Sequence, residues 1–329
     1  MTTRTLGKGG PAVSSMGLGC MGMSDFYRSK DTRDDAESIR TIHAALEAGI
    51  TFLDTGDFYG LGHNEMLIAK ALAGRRERAL ISVKFGALRS PSGAFLGMGT
   101  RPALVKTFAA YSLQRLGVEA IDIYQPSRVD PSVPVEETVG AVADLIREGK
   151  VRYLGMSEAS AENLRRAHAT HPVTALQIEY SIATRMIERE HLPLARSLGI
   201  GLVTYGALSR GLLGGRLEGP FAPGDFRARA PRFNAENLPH NLKQVEVLKS
   251  MAEKKGCTCA QLAIAWVLAQ GSDIVPIVGT TKRDRLSENL KALDITLSPV
   301  ELGEIARAFP LGSFSGERYP QEQMPIVAG

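Results

Sequence analysis

Residues 34–54 read DDAESIRTIHAALEAGITFLD, and the order of events within them decides the fold. A helical stretch occupies 34–48. Gly49 stands just past its end, where a left-handed residue closes the last carbonyls. A short apolar run, 50–54, then reads as a buried strand ending in a charge. Outward from this unit the theme recurs. Strand-like runs fall at 15–19, 50–54, 79–85, 120–125, 151–156, 174–178, 201–205 and 274–278. Helical patterns fall between them at 34–48, 64–72, 102–116, 135–148, 161–169, 188–198, 242–255, 259–269 and 283–293. Gly74, Gly117, Gly149, Gly199, Gly256 and Gly271 repeat the stop signal of Gly49. Strands alternating with helices require parallel pairing through crossover helices, and eight such units close naturally into a (β/α)8 TIM barrel. A doubly wound open sheet is the competing arrangement.

The ends of the chain add to this plan. Residues 3–6 and 13–18 flank the turn Gly7-Lys8-Gly9-Gly10 and read as an N-terminal β-hairpin. The longest connection, 206–241, follows strand seven and is rich in Gly, Pro and Arg, which suits a lid or specificity loop. Ser298-Pro299 caps a last short helix to about residue 308, and the tail 309–329 is irregular. Arg318-Tyr319-Pro320 in that tail has two readings, one reaching back over the pocket and one on the surface.

Composition agrees with a large buried core. The 329 residues are 44% hydrophobic and 22% charged, a size that one barrel domain spanning 1–329 accommodates. No apolar run approaches the ~18 residues of a membrane span. The net charge of +4 is mild and dispersed, which disfavours nucleic acid as a partner. Three cysteines, an odd number, argue against a secreted disulfide framework, and the N-terminus carries no apolar signal region, so a cytoplasmic location is expected. Cys257 and Cys259 diverge on a helix, and the histidines show no ligand spacing, so no metal is expected.

Two barrel strands end in charge where apolar residues belong. At period 2, Ile50 and Phe52 share a face with Asp54, and Leu80 and Ser82 share one with Lys84. Unpaired, each charge is very costly there, so mutual pairing of these neighbouring strands is the economical solution. Tyr59 follows Asp54 on the same strand-end loop. A phenol beside an ammonium is shifted towards phenolate, so Lys84 is expected to acidify Tyr59 while Asp54 holds Lys84 charged. Such a trio suits proton donation to a carbonyl under reduction.

These residues also carry a resemblance. Leu53-Asp54-Thr55-Gly56-Asp57-Phe58-Tyr59-Gly60 and Val83-Lys84-Phe85-Gly86 are similar to the signature of the aldo-keto reductases. So are Leu154-Gly155-Met156-Ser157-Glu158, Gln177-Ile178-Glu179-Tyr180-Ser181 and Gly279-Thr280-Thr281-Lys282. The likeness runs end to end, and includes branches with potassium-channel β subunits. It implies a (β/α)8 barrel, NADPH at its C-terminal face, and hydride transfer to a small-molecule carbonyl substrate. Tyr59 would be the proton donor, with Lys84 and Asp54 as its partners. The family's fourth residue, a histidine, falls on Ser127 within Ile123-Tyr124-Gln125-Pro126-Ser127-Arg128. A hydroxyl still donates one hydrogen bond, but it does not titrate near neutrality. Pro126 lacks a ladder N–H and marks the strand's end.

Lys282 and Arg285 open the helix after the last strand, where free N–H groups attract anions, and two cations there favour NADPH over NADH. By resemblance, Gly279 and Thr281 join them, Glu288 and Asn289 meet the adenine, and Ser157 and Gln177 meet the carboxamide. Tyr205 would stack under the nicotinamide. Gly17-Leu18-Gly19-Cys20-Met21-Gly22 spells a dinucleotide fingerprint, yet 24–32 is polar and irregular with no helix start, so Met21 and Gly22 read instead as contacts at the end of strand one. The expected activity is reduction of aldehydes or ketones, or the reverse alcohol oxidation. A second class, an NADPH-sensing regulatory subunit, stays open because of Ser127.

Overall fold

The structure, a computed structural model, describes all residues except 28–31, 218–220, 223 and 328–329. Parts of the segments expected to be irregular, namely 24–32, the long loop and the tail, thus lie outside the described residues.

A hairpin of β1 (Thr3–Thr5) and β2 (Ala12–Ser14) opens the chain. The strands β3 (Gly17–Gly19), β4 (Phe52–Gly56), β5 (Leu80–Phe85), β8 (Ile121–Pro126), β9 (Val151–Ser157), β10 (Val173–Glu179), β11 (Gly201–Tyr205) and β12 (Ile274–Gly279) close into a barrel. Every neighbouring pair is parallel, and the ring closes with no free edge because β12 pairs with β3 and β9 with β10, so the open-sheet alternative is excluded. A second hairpin, β6 (Ala87–Arg89) with β7 (Phe95–Met98), is inserted after β5. It was not expected, because a short, half-exposed ribbon turned by Pro91 and Gly93 has no buried face to leave a pattern.

The helices around the barrel are α1 (Asp35–Glu47), α2 (His63–Ala71), α3 (Pro102–Leu116), α4 (Val135–Arg147), α5 (Ala161–Thr170), α6 (His191–Leu198), α7 (Leu238–Lys255), α8 (Cys259–Leu268), α9 (Arg283–Leu290) and α10 (Pro299–Ala308). Gly49, Gly74, Gly117, Gly149, Gly199 and Gly256 all take positive φ, as helix-closing residues do. Gly271 does not, because α8 already ends at Leu268. Helix α7 begins four residues before the expected position, since Pro239 fits the first helical turn and extends it.

The barrel interior explains why only one end can hold a ligand. Leu6 and Val13 of the first hairpin pack with Phe52, Ile123, Ala175, Val203, Val275 and Ile277 and plug the N-terminal end. Gly7 makes that plug possible. Its φ is +67°, and a Cβ would sit 2.4 Å from the Thr174 carbonyl oxygen. The polar residues are left at the C-terminal ends of the strands, where the connecting loops assemble.

Candidate active site

A cavity of about 1280 Å³ opens at the C-terminal end of the barrel. Strand β4 brings Asp54 to its wall and β5 brings Lys84, and the two side chains form a buried ion pair. Their Cα atoms are not direct register partners, because Lys84 pairs across from Gly56. That glycine matters for the next residue. A Cβ at Gly56 would stand 3.3 Å from Tyr59 Cζ, so glycine leaves the Tyr59 ring room that a larger residue would crowd. Tyr59 is wedged edge-on between Phe58 and Phe26, with ring centroids 4.8 and 5.9 Å away, and Lys84 Nζ lies 5.2 Å from its ring centre. Gln177 Nε2 donates to the second Asp54 oxygen at 2.6 Å.

The electrostatics differ from the expected acidified phenol. Tyr59 titrates well above its ordinary value, first because it is buried and second because the Asp54 carboxylate is near. The cation that opposes this is Arg128, not Lys84. Lys84 is itself pulled below its ordinary value by burial, against which Asp54 works. The physical reason is burial: a phenolate in this low-dielectric wall would lose its solvation and stand near the Asp54 carboxylate, and Arg128 offsets only part of that. Tyr59 is therefore a protonated hydrogen-bond donor throughout the neutral range. Its hydroxyl makes no hydrogen bond with any described residue.

Strand β8 ends at Pro126, and Ser127 follows with its N–H bonded to the Phe85 carbonyl at 2.8 Å. The Ser127 hydroxyl is buried with no partner, and so is the Ser157 hydroxyl at the end of β9. Both residues line the cavity. Unsatisfied buried hydroxyls cost stability, and on a cavity wall they point to a bound partner.

Every residue assigned to catalysis or cofactor binding from the sequence lines this one cavity. Met21, Gly22, Tyr205, Gly279, Thr281, Lys282, Arg285, Glu288 and Asn289 line it together with the groups above. Their surroundings modify some expectations. The Gln177 amide is engaged by Asp54, and the Tyr205 hydroxyl donates to Glu158 at 2.8 Å and lies 2.9 Å from that of Tyr319. Glu288 faces the long loop, where Arg216 pairs with its carboxylate at 3.2 Å. Met21 and Gly22 sit in a single 3-10 turn, and among the described residues no α-helix follows it before α1. Gly17 is glycine for packing, because a Cβ there would meet Phe52 at 2.6 Å. His63 is not part of the wall and bridges Ser24 and Asp35 at the start of α2.

The tail does reach back over the pocket. Arg318 forms a bidentate pair with Glu158, at 3.0 and 2.9 Å, and Tyr319 accepts from Arg128 at 3.0 Å. Burial disfavours the Glu158 carboxylate, but Arg318 and then Arg128 outweigh it and hold its pKa down to about 2. The long loop roofs the cavity from the other side, where the Phe226 N–H donates to the Phe26 carbonyl at 2.8 Å. Arg128, Arg210 and Phe226 thus line the site although no local pattern assigns them to it, and Tyr319 takes the first of its two readings.

The comparisons agree with this geometry. Residues 15–309 match the model of the Aldo/keto reductase family. The chain is 47% identical over 316 residues to the "Probable aldo-keto reductase 1" of Glycine max, covering 95% of this chain and 90% of that protein. Among solved structures it resembles the glycerol dehydrogenase AKR11B4 from Gluconobacter oxydans, with a TM-score of 0.84, 29% identity, and 94% and 96% of the two chains covered. It also resembles the aldo-keto reductase AKR11C1 from Bacillus halodurans in its holo form, with a TM-score of 0.78, 26% identity, and 98% and 99% covered. On this match the chain belongs to the aldo/keto reductase family, oxidoreductases acting on carbonyl and alcohol groups.

Proposed function

We propose that this chain reduces aldehydes or ketones with NADPH, or oxidises the corresponding alcohols, with Tyr59 as the proton donor. One observation carries the reading: an unengaged, protonated Tyr59 hydroxyl shares a cavity wall with the unpartnered Ser127 hydroxyl, above a buried Lys84–Asp54 pair.

The walls fit a phosphorylated dinucleotide. Lys282 and Arg285 have no ion-pair partner among the described residues, whereas neighbouring Arg283 is held by Glu37. They stand at the start of α9, where helix N–H groups favour a phosphate. Gly19 and Gly279 line the cavity and add no side chain to its floor. Ser157 and Asn289 supply buried polar groups at two further points of the wall. When bound, the reduced nicotinamide supplies the hydride that reaches the carbonyl carbon.

The chain's own residues manage the proton and the charge. Tyr59 gives its hydroxyl proton to the carbonyl oxygen as that oxygen becomes an alkoxide. Ser127 donates a second hydrogen bond to the same oxygen, in the place the family resemblance gives to a histidine. Lys84 keeps the tyrosine ring oriented through its ring contact, and Asp54, braced by Gln177, keeps Lys84 in place. The hairpin β6–β7 and the roof of Phe26 and Phe226 limit water.

Tyr59→Phe is the test. General acid assistance is worth ~10² to 10⁴ in rate, so kcat falls by at least a hundredfold while the dissociation constant for NADPH changes little. The reaction is followed by loss of nicotinamide absorbance and binding by nicotinamide fluorescence. A variant that retains more than about a tenth of wild-type turnover removes Tyr59 from the mechanism.

A further inference from the structure

The substrate end of the cavity holds more positive charge than its ion pairs account for. Two buried carboxylates, Glu158 and Glu179, face four guanidinium groups. Arg318 takes Glu158 at 2.9 Å and approaches Glu179 at 3.7 Å. Arg232 takes Glu179 at 3.4 Å. Arg128 and Arg210 remain, and among the described residues neither has a carboxylate within ion-pair distance. Glu158 lies close enough to act on Arg128 electrostatically, and Glu179 on Arg210, but each is already committed. Lys84 adds nothing, since Asp54 neutralises it.

These two guanidinium groups share one aromatic support. Arg128 lies 5.3 Å from the Tyr319 ring centre, and Arg210 lies 4.9 Å from the same centre and 4.3 Å from that of Phe226. Arg128 donates to the Ser127 carbonyl at 2.5 Å and to the Tyr319 hydroxyl at 3.0 Å, which fixes it beside the hydroxyl proposed to bind the carbonyl. Arg210 is less satisfied, because its Nη2 is buried without a partner. Its backbone is also unusual. Ser209 and Arg210 take φ of +44° and +56°, a left-handed conformation that costs a non-glycine residue energy. Half-buried cations without a carboxylate partner, together with local backbone strain, point to a ligand that repays them.

We infer that Arg128 and Arg210 form an oxyanion-binding subsite next to Ser127 and Tyr59, so that the preferred substrates are short aldehydes or ketones carrying a carboxylate or phosphate a few bonds from the carbonyl. The planar guanidinium fork suits both oxyanions. This inference rests on the reductase reading above and names its substrate class.

The test compares charged and neutral carbonyls of matched size with the full chain and NADPH. The pairs are 4-oxobutanoate against butanal, and glyceraldehyde 3-phosphate against glyceraldehyde, which separate carboxylate from phosphate. A charge-assisted hydrogen bond implies about a tenfold or greater preference in kcat/KM for the charged member of at least one pair. In Arg210→Met that preference falls by about tenfold or more, through KM. Calorimetry on the NADPH-loaded wild-type protein gives a readout independent of turnover, with succinate binding and uncharged succinamide not binding. Equal kcat/KM for charged and neutral members, with brisk turnover of both, overturns the subsite and leaves the reductase reading standing. Absence of turnover for every carbonyl, with succinate still bound in preference to succinamide, overturns the reductase reading and keeps the subsite. If Arg210→Met weakens NADPH binding while the charged-substrate preference survives, Arg210 serves the cofactor phosphates and the inference is wrong.

Discussion

Lys84→Met separates the buried pair without emptying its volume. The Lys84 and Asp54 side chains are 5% and 4% exposed, and methionine retains most of the apolar stem that Lys84 packs into the wall. What is left is a carboxylate whose remaining side-chain partner is Gln177 Nε2 at 2.6 Å. Breaking a buried pair costs ~3–5 kcal/mol, and the surviving charge-to-amide bond places the expected loss near the lower end, about 3 kcal/mol. The pH dependence has a definite sign. An isolated buried carboxyl binds its proton more tightly when folded than when unfolded, so its penalty is absent below the unfolded value of ~3.9 and grows as pH rises. The deficit against wild type is therefore largest at pH 7 and shrinks towards pH 4. Trp266, the chain's one tryptophan, is buried on α8 beside Tyr180 and reports urea unfolding. The double variant Asp54→Asn/Lys84→Met leaves no charge behind and recovers more than half of the loss. A single variant within about 1 kcal/mol of wild type at pH 7, or a deficit that does not shrink on acidification, refutes the buried pair.

Two further expectations concern charges on either side of the cavity. Glu158 has a folded pKa of about 2 against an ordinary ~4.3, so its ion pair contributes stability that is present above ~4.3 and lost as pH falls through 2, about 3 kcal/mol in all. Arg318→Met removes most of that contribution at pH 7 and flattens the acid loss between pH 4 and 2, read from urea midpoints across that range. At the other end, Lys282→Gln/Arg285→Gln removes two exposed cations that have no ion-pair partner among the described residues. The selectivity for NADPH over NADH falls by about tenfold to a hundredfold in paired fluorescence titrations, and the loss is largest at low salt. An unchanged ratio would place the 2′-phosphate elsewhere.

The barrel was legible because its signals are local. Six of the seven glycines read as helix stops take positive φ, Gly271 being the exception, and the strand ends that depart from apolar alternation, Asp54 and Lys84 above all, reach the cavity. The field acting on Tyr59 was not legible, because it depends on quantities that no local pattern encodes. Burial sets the sign, the Asp54 carboxylate adds to it, and the opposing cation, Arg128, comes from a strand end more than sixty residues away. The same applies to the roof. Arg318 meets Glu158 across 160 positions of sequence, and Arg210 acquires its role only when Phe226 and Tyr319 close on it. Where α7 begins was lost for a simpler reason, a proline read as loop when it sat in a first helical turn.

Ser127 gains a physical meaning from these charges. At the position where the family resemblance places a histidine, an imidazole would sit beside Arg128, whose guanidinium already bonds the residue's own carbonyl oxygen, and near Arg210. Protonated, it would be a third positive charge without a carboxylate. Neutral, it would compete with Tyr319 for the Arg128 donors. A serine hydroxyl donates to a carbonyl oxygen at any physiological pH and adds no charge. The departure from the family pattern and the surplus of arginine are thus two aspects of one electrostatic arrangement. On the proposed mechanism the hydrogen-bond donor beside Tyr59 stays neutral, and the positive field that steadies a developing alkoxide comes from groups that do not titrate.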